Sequence, residues 1–260
     1  MFRKKDILDI GSLEPHEISM ILDTAQGMKE ISERPVKKVP TLRGKTIVLF
    51  FQEPSTRTKL SFDTAAKRLS ADSLSISKAT SSIVKGETLI DTAKNLEAMK
   101  PDVIVLRHPS SGAPHLIARH VNASVINAGD GIHAHPTQAL LDMMSVREKK
   151  GKIKGLNISI IGDIAHSRVA RSDITGFSKM GATVTICAPR TMIPAGVEKL
   201  GCRIAPTMES CVEGADVIMM LRIQKERQGN LLFPTEREYA TLFGLNKTRL
   251  GLARKDVVVM

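Results

Sequence analysis

Aromatic side chains are scarce in this sequence of 260 residues: they make up 3% of it, with one Tyr and no Trp. Proteins that bind single-stranded nucleic acids commonly stack the bases on aromatic rings, so this class is disfavoured. The net charge of +11 points the other way, but the Lys and Arg residues are spread along the chain and form neither a tail nor a stripe. We therefore expect no nucleic-acid partner and interpret the positive charge as suited to anionic small molecules.

Cysteine is also rare, and long apolar runs are absent. The three cysteines, Cys187, Cys202 and Cys211, form no CxxC pattern and predict reduced, buried thiols in a cytoplasmic protein. No stretch of 18 or more apolar residues occurs, and residues 1–6 lack the apolar core of a secretory signal. From these absences we predict that the chain has no membrane span and no membrane partner.

Short β-rich runs alternate with longer amphipathic stretches, which predicts an α/β fold with mainly parallel sheets. The predicted strands are residues 46–51, 102–106, 124–127, 157–161, 183–188 and 216–221. Pro15 marks the start of a first helix. Further helices are predicted from apolar spacing near residues 60–69, 87–99, 112–121, 136–149, 167–180 and 207–214.

A polar stretch at residues 148–152 ends one predicted helix and precedes a new strand–helix series. We therefore predict two doubly wound α/β domains joined by a bridging helix. The predicted bounds are residues 1–134 for the first domain, 135–150 for the bridging helix and 151–260 for the second domain.

The segment 51–58, Phe-Gln-Glu-Pro-Ser-Thr-Arg-Thr, joins a buried strand to a helix. The first N–H groups of a helix lack intrahelical acceptors, and the helix dipole is positive there. Three hydroxyls and a guanidinium at such an end predict a phosphate site, although Ser and Thr are also ordinary N-cap residues. The segment is not a Walker loop, because the chain contains no GxxxxGK[ST].

Other positions allow two interpretations each. Arg107 ends a strand at the carboxyl edge where α/β sheets bind ligands, but a surface arginine fits as well. His133 and His135 resemble half of a metal site, yet no Cys or carboxylate cluster joins them in the sequence, so we predict no metal ion. Gly162 and Asp163 follow a strand without a GxGxxG pattern, which is only a weak sign of a dinucleotide site.

The segment 51–58 resembles the carbamoyl-phosphate signature of the aspartate/ornithine carbamoyltransferase family. Three further groups of residues match this family in the same order, and the resemblance covers essentially all 260 residues. They are residues 81–88, residues 106–109 with 127–131 and 135–138, and residues 162–163 with 166–168 and 222–227. The resemblance implies a first domain that binds carbamoyl phosphate, a second that binds aspartate, and no cofactor.

The resemblance also implies roles for individual residues. The implied catalytic residues are Arg57, Thr58, Arg107 and His135, and the implied carbamoyl-phosphate ligands are Ser55, Thr56, Arg57, Thr58, Ser81, Arg107, His135 and Gln138. The implied aspartate ligands are Lys85, Arg168, Arg222 and Gln224. In this scheme His135 donates a hydrogen bond to the carbamoyl oxygen, and Gln138 accepts one from the carbamoyl NH₂ group.

The implied reaction moves the carbamoyl group to the amine of L-aspartate and yields N-carbamoyl-L-aspartate and phosphate, a step of de novo pyrimidine biosynthesis. Two arginines, Arg168 and Arg222, suit the two carboxylates of aspartate. Ornithine-specific members typically carry Cys in place of Thr137 and Ser-Met-Gly at residues 221–224, where this chain has Leu-Arg-Ile-Gln. Two alternatives stay open: transfer to another amino acid such as ornithine, or an inactive homologue that only binds carbamoyl phosphate.

The loop that contains Ser81 and Lys85 can also be interpreted as a solvated turn without a functional role. In the family this loop reaches the neighbouring subunit, which implies a homotrimer with shared active sites and leaves regulatory chains open. Family members continue after the strand near Val257–Met260 with a His-Pro-Gly-Pro or His-Pro-Leu-Pro loop, so we expect the second domain to be truncated at its C-terminus.

Overall fold

The computed structural model describes residues 2–77, 87–224, 233 and 235–260. The chain divides into two compact units, a first unit of Met1–Thr137 and a second unit of Gln138–Met260. Each unit contains a parallel sheet and helices, which confirms the predicted fold class. Within these described residues, we find no helix with the length and apolar character needed to cross a bilayer.

The sheet of the first unit has the strand order β2-β1-β3-β4, with parallel neighbours throughout. Its strands are β1 (Thr46–Phe51), β2 (Asp72–Ser77), β3 (Val103–His108) and β4 (Ser124–Asp130). The helices are α1 (Pro15–Glu33), α2 (Thr56–Arg68), α3 (Leu89–Ala98) and α4 (Ala113–Ala118).

Strand β1 shows why this sheet carries helices on both faces. Its residues are almost all buried, as is usual for a central parallel strand. Val48 and Phe50 pack in a core with residues of α3 and α4. Leu49 and Phe51 pack in a second core that includes Ala66 of α2. Because successive side chains point to opposite faces, this continuous apolar run fills two cores at once.

The sheet of the second unit has the order β7-β6-β5-β8-β9, again with parallel pairs. Its strands are β5 (Asn157–Ile161), β6 (Thr183–Cys187), β7 (Cys202–Ile204), β8 (Val217–Met220) and β9 (Val258–Val259). The helices are α5 (Pro136–Lys150), which begins in the last residues of the first unit, α6 (Arg168–Lys179), α7 (Met208–Val212), α8 (Glu236–Phe243) and α9 (Lys247–Leu250). Two 3₁₀ turns lie at Arg190–Met192 and Val197–Leu200.

All six strands predicted from apolar runs are present within a few residues of their expected bounds, and β9 matches the strand expected near Val257–Met260, but two further strands, β2 and β7, were missed. Strand β2 reads Asp-Ser-Leu-Ser-Ile-Ser, and its alternation of polar and apolar residues is a strand signal that the sequence analysis did not use. β2 lies at the edge of the sheet, where even Leu74 is 47% exposed. Polar residues are therefore accommodated in this strand. Strand β7 has only three residues, too few for a periodic signal.

The strand orders place one point of reversal in each sheet. In the first unit β2 lies on one side of β1 and β4 lies on the opposite side of β3, so the direction of winding reverses between the neighbours β1 and β3. In the second unit the same holds for β5 and β8. Open α/β sheets bind ligands at the carboxyl ends of the strands next to such a reversal.

Candidate active site

In the first unit, the site residue Arg107 lies at the reversal point of the sheet. It is the register partner of Phe51, the last residue of β1. The backbone N–H of Gln52 donates to the carbonyl oxygen of Arg107 at 2.8 Å, which ties the two strand ends together. The chain segment that follows β1 and the side chain of Arg107 in β3 therefore lie together at the carboxyl edge of the sheet, where ligands bind.

The guanidinium of Arg107 is held among groups that follow these strands. Its Nη1 donates to the Thr58 hydroxyl at 3.4 Å and to the Ala128 carbonyl at 3.3 Å, and its Nη2 lies 3.4 Å from Glu53 Oε1. The side chain is only 12% exposed, so its charge acts in partly desolvated surroundings. The structure thus brings together two predicted catalytic residues, Arg107 and Thr58, and adds Glu53, to which the sequence analysis assigned no role.

The N-terminus of α2 supplies the second half of this arrangement. Ser55 is its N-cap with extended backbone (φ −163°), and among the described contacts its side chain makes no capping hydrogen bond. The first-turn amides and the positive helix end are therefore not satisfied by the cap itself. Thr56 and Arg57 are exposed there. The hydroxyls and first-turn amides at this helix end, together with the guanidiniums of Arg57 and Arg107, can bind a phosphate dianion.

The loop before His135 is fixed by the buried carboxylate of Asp130. This carboxylate accepts hydrogen bonds from the Gly112 N–H at 2.6 Å, the Ala134 N–H at 3.0 Å and Asn127 Nδ2 at 2.8 Å. The ring of His133 lies against it, with Nδ1 at 3.0 Å. Burial alone would raise the pKa of Asp130, but the hydrogen bonds from His133, Asn127 and Gly112 lower it. Asp130 is thus an ionised anchor for the loop.

Asp130 and His133 also form a group with His115, in which one potential metal-ligand atom from each residue lies within 4.8 Å of the others. Asp130 was overlooked in the sequence-based prediction about metals although it lies three residues before His133, because the third member of the group, His115, is distant from both in the chain. Both oxygens of Asp130 already accept from N–H donors, and Asp9 lies 3.1 Å from His115 Nε2. These hydrogen bonds connect the three residues to their surroundings, and the absence of a metal ion stays a prediction.

His135 itself is 6% exposed and lies immediately before α5. Its Nδ1 is 3.4 Å from the Thr137 hydroxyl. Gln138 is the first residue of the second unit, and its Nε2 donates to Asp142 Oδ1 at 2.9 Å one turn further along α5. The two predicted carbamoyl ligands, His135 and Gln138, are thus both set at the start of one helix.

In the second unit, the predicted aspartate ligands follow the two strands at the reversal point. The backbone N–H of Leu221, just after β8, donates to the carbonyl of Ile161 in β5 at 2.8 Å. Arg222 comes next and is exposed. Arg168 is the first residue of α6, is 3% exposed, and follows Ser167, whose hydroxyl caps the helix by accepting from the Ala170 N–H at 3.1 Å. Both predicted arginines therefore lie in segments that start at the carboxyl edge of this sheet.

A second buried carboxylate, Asp163, organises this edge. Its Oδ2 accepts from the backbone N–H of Gln224 at 3.1 Å, and its Oδ1 lies 2.8 Å from His166 Nδ1. The side chain is fully buried. Asp163 therefore fixes the segment that carries Arg222 and Gln224 to the loop that precedes α6. The sequence analysis quoted Asp163 as part of a motif but gave it no function.

The only tyrosine of the sequence, Tyr239, belongs to the same unit. Burial, and to a lesser degree the charge of Asp163, raises the pKa of Tyr239 to about 12, so its hydroxyl remains protonated. Nothing in the local sequence singles out this residue. Two predicted ligands, Ser81 and Lys85, lie outside the described residues, as do Lys225, Glu226 and Arg227 of the family match.

Comparisons with known proteins agree with this architecture over both units. Residues 5–148 match the model for the aspartate/ornithine carbamoyltransferase carbamoyl-P binding domain, and residues 154–260 match the model for the Asp/Orn binding domain. The chain belongs to the aspartate/ornithine carbamoyltransferase family. The resemblance found in the sequence is therefore confirmed.

Two curated relatives indicate which branch the chain resembles. The aspartate carbamoyltransferase catalytic subunit of Desulforapulum autotrophicum is 80% identical over 259 residues, covering 100% of this chain and 83% of the relative. The corresponding subunit of Desulfosudis oleivorans is 66% identical and covers 98% of this chain and 82% of the relative.

Solved structures share the fold across both branches. Aspartate transcarbamoylase from Trypanosoma cruzi in complex with carbamoyl aspartate and phosphate has a TM-score of 0.87 at 27% identity, over 98% of this chain and 83% of that one. Ornithine carbamoyltransferase from Pyrococcus furiosus has a TM-score of 0.86 at 30% identity with the same coverage. The fold alone therefore does not distinguish the two amine substrates, whereas the two curated relatives described above are both named for aspartate.

Proposed function

We propose that this protein transfers the carbamoyl group of carbamoyl phosphate to the amine of L-aspartate, and so forms N-carbamoyl-L-aspartate and phosphate for pyrimidine biosynthesis. The observation that carries the proposal is the position of Arg107, which lies beside Thr58 and the open N-terminus of α2 at the reversal point of the first sheet. The names of the curated relatives support the choice of reaction.

Carbamoyl phosphate is the proposed ligand of the first unit. Its phosphate would be bound by Ser55, Thr56, Arg57 and Arg107 together with the first-turn amides of α2. Thr58, Arg107 and His135 would donate hydrogen bonds toward the carbamoyl oxygen, where negative charge develops as the amine attacks. Gln138 would accept from the carbamoyl NH₂ group, and Ser81 is proposed as a further ligand.

The chemical step requires no covalent intermediate with the protein. The aspartate nitrogen forms a bond to the carbonyl carbon, the bond from that carbon to the phosphate oxygen breaks, and the proton that the amine loses is taken up by the leaving phosphate. Phosphate is a good leaving group, so the protein mainly has to orient two anions and neutralise their charge. Partly desolvated arginines meet this requirement because their guanidiniums stay charged at any physiological pH.

L-aspartate is proposed to bind to the second unit through Arg168, Arg222 and Gln224, with Lys85 as a further ligand. Two guanidiniums can pair with the two carboxylates of aspartate. Ornithine has one carboxylate and a cationic side chain, which an exposed arginine such as Arg222 would repel. Asp163, which holds the Gln224 backbone, would keep these ligands in register.

The direct test is to measure carbamoylated product with a panel of amines at a fixed concentration of carbamoyl phosphate. We expect N-carbamoyl-L-aspartate with aspartate and no product with ornithine. Product from ornithine in preference to aspartate would contradict the substrate assignment. Binding of carbamoyl phosphate in calorimetry without product from any amine would instead support the alternative of an inactive homologue.

We further propose a cytoplasmic homotrimer with active sites shared between neighbouring subunits, with regulatory chains as a possible addition to this assembly. The three free, buried cysteines support a reducing compartment. Light scattering coupled to size-exclusion chromatography measures the mass of the assembly directly. A mass equal to one chain of 28.4 kDa would contradict the trimer.

A further inference from the structure

Two aspartates are buried together in the second unit, beside the proposed ligand Gln138. Asp142 lies in α5 and is 5% exposed, and Asp173 lies in α6 and is 0% exposed. The two carboxyl groups are neighbours, so that a proton on one of them can be donated to the other. Gln138 Nε2 donates to Asp142 Oδ1 at 2.9 Å. These three residues form a chain of polar groups that leads from the core of the second unit to the start of α5.

The two carboxyl groups cannot both be ionised, because like charges in contact and out of water repel each other strongly. In the described part of the chain, neither oxygen of Asp173 has an N–H or O–H donor. As a carboxylate it would be a buried anion without compensation, whereas as a carboxylic acid it can donate its proton to Asp142. Burial and the adjacent charge of Asp142 raise the pKa of Asp173 well above its ordinary range.

Asp142 is the ionised member of the pair. Burial raises its pKa to about 6, and the hydrogen bonds from Gln138 and Asp173 oppose that rise. Gln138 donates to Asp142, whereas no N–H or O–H donor in the described residues reaches Asp173, so the geometry points to one proton on the pair, on the Asp173 side. An ionised Asp142 has only acceptor atoms to offer its neighbours.

This arrangement determines which end of the Gln138 amide faces Asp142. A glutamine amide has a donor and an acceptor end of nearly the same shape, so packing alone hardly distinguishes its two orientations. An acceptor-only carboxylate selects the NH₂ end, as observed at 2.9 Å. The amide oxygen is then the end that can accept a hydrogen bond from a ligand. If Asp142 were protonated, it could donate to that oxygen and favour the reversed amide.

We propose that Asp142 and Asp173 are positioning residues for carbamoyl transfer: they share one proton, and the pair orients the Gln138 amide so that its oxygen accepts from the carbamoyl NH₂ group. The proposal rests on the proposed function for its substrate. Neither aspartate touches the reacting atoms in this scheme. Asp142 acts through Gln138, and Asp173 acts by keeping Asp142 ionised.

Four variants separate positioning from general stability when kinetics are measured on the full chain. Asp142→Leu, which removes the acceptor, should lower kcat/KM for carbamoyl phosphate about tenfold, the scale of one hydrogen bond, and leave KM for aspartate nearly unchanged. Asp173→Leu should show the same loss, and Asp173→Asn should rescue it, because the amide NH₂ is a permanent donor to Asp142.

Asp216→Asn is the matched control: Asp216 is also buried in this unit, but it accepts from the Asn157 N–H at 2.8 Å. It should lower the melting temperature and leave kcat/KM unchanged.

Two spectroscopic measurements do not depend on turnover. Carbon-13 NMR of aspartate carboxyl groups, assigned with the Asp173→Asn variant, should show that Asp173 is protonated at neutral pH. Nitrogen-15 NMR of labelled glutamine side chains should show the Gln138 NH₂ signals shifted in Asp142→Leu and retained in Asp173→Asn. An ionised Asp173, or unchanged Gln138 signals in a folded Asp142→Leu protein, would overturn the proposal.

The outcomes also separate this proposal from the proposed function. An unmodified protein without any carbamoyl transfer would refute the function, and the NMR measurements would still decide whether the pair holds a proton and orients Gln138. An active protein in which Asp142→Leu changes kcat/KM for carbamoyl phosphate less than twofold would refute the positioning role alone. Equal losses for both substrates in Asp142→Leu would indicate a structural role and would also refute it.

Discussion

A methyl group added to Gly162 would lie 2.9 Å from both the Cβ and the carbonyl oxygen of Leu221. Gly162 also has φ +126°, a conformation that residues with a side chain rarely adopt. The loop after β5 and the segment after β8 therefore approach each other more closely than any other residue at position 162 would permit. This close approach places Arg222 and the Asp163 anchor at the same edge of the second sheet.

We therefore expect Gly162→Ala to raise KM for aspartate more than KM for carbamoyl phosphate, because the Leu221–Arg222 segment has to move. The variant should also lose stability, by about 1–3 kcal/mol for the strained backbone. Gly155→Ala is a matched control, since Gly155 has φ +79° but an added methyl group would have no atom within 4 Å. Thermal denaturation and steady-state kinetics measure both effects, and equal KM changes in the two variants would contradict this explanation.

Arg57→Ala should weaken carbamoyl-phosphate binding and lower turnover at least about a hundredfold, the scale of losing one transition-state donor. The reason is the exposed position of Arg57 in the first turn of α2, next to the open helix end. Lys67→Ala removes a cation from the last turn of the same helix, where Lys67 pairs with Asp63, and serves as the control. Kinetics of Arg57→Ala close to those of Lys67→Ala would remove Arg57 from the site.

Arg222→Ala should raise KM for aspartate far more than KM for carbamoyl phosphate. A charged hydrogen bond to a substrate carboxylate contributes roughly 1.5–3 kcal/mol, which corresponds to a change of about ten- to a hundredfold. Arg254→Ala, which removes an arginine that pairs with Asp216 in the same unit, controls for the loss of positive charge. The aspartate assignment fails if both substrates are affected equally, or if neither is.

Asp173→Asn should stabilise the protein more at about pH 8 than at about pH 5. An unfolded aspartate releases its proton near its ordinary pKa, whereas burial and Asp142 keep the pKa of folded Asp173 raised. Above the ordinary pKa the folded state thus binds more protons than the unfolded state, so its stability falls as the pH rises. The asparagine removes this cost, and the gain in Tm should be larger at the higher pH by at least about 2–4 °C, or about 1 kcal/mol. The same gain at both pH values would show that Asp173 is ionised in the folded protein.

Subunit mixing tests whether Lys85, which lies outside the described residues, serves a neighbouring subunit. Lys85→Ala and Arg57→Ala proteins should each be nearly inactive, and mixed trimers should regain a measurable fraction of activity. Some interfaces would then combine an intact Arg57 from one subunit with an intact Lys85 from the next, as cyclic oligomers permit. If subunit exchange is verified by mass spectrometry and no activity returns, the shared-site proposal is wrong.

The sequence alone determined the fold class and most of the regular elements of this protein. Parallel strands buried on both faces need continuous apolar runs, and residues 46–51 and 157–161 are such runs, so their strands could be predicted from composition. The prediction of an anion site at residues 51–58 also needed only local sequence, since a strand, a proline and a hydroxyl-rich helix start are adjacent in the chain, and it stays a prediction.

Tertiary structure decided which distant residues act together. Glu53 meets Arg107, Asp163 holds the backbone of Gln224, and Asp173 contacts Asp142 only because strands and helices far apart in the chain become neighbours. The proton held by Asp173 has the same origin: an aspartate in a sequence is an ordinary acid, and only burial beside a second carboxylate raises its pKa. Local patterns carry the information for helices and strands, whereas the ionisation and orientation of the supporting groups depend on long-range packing.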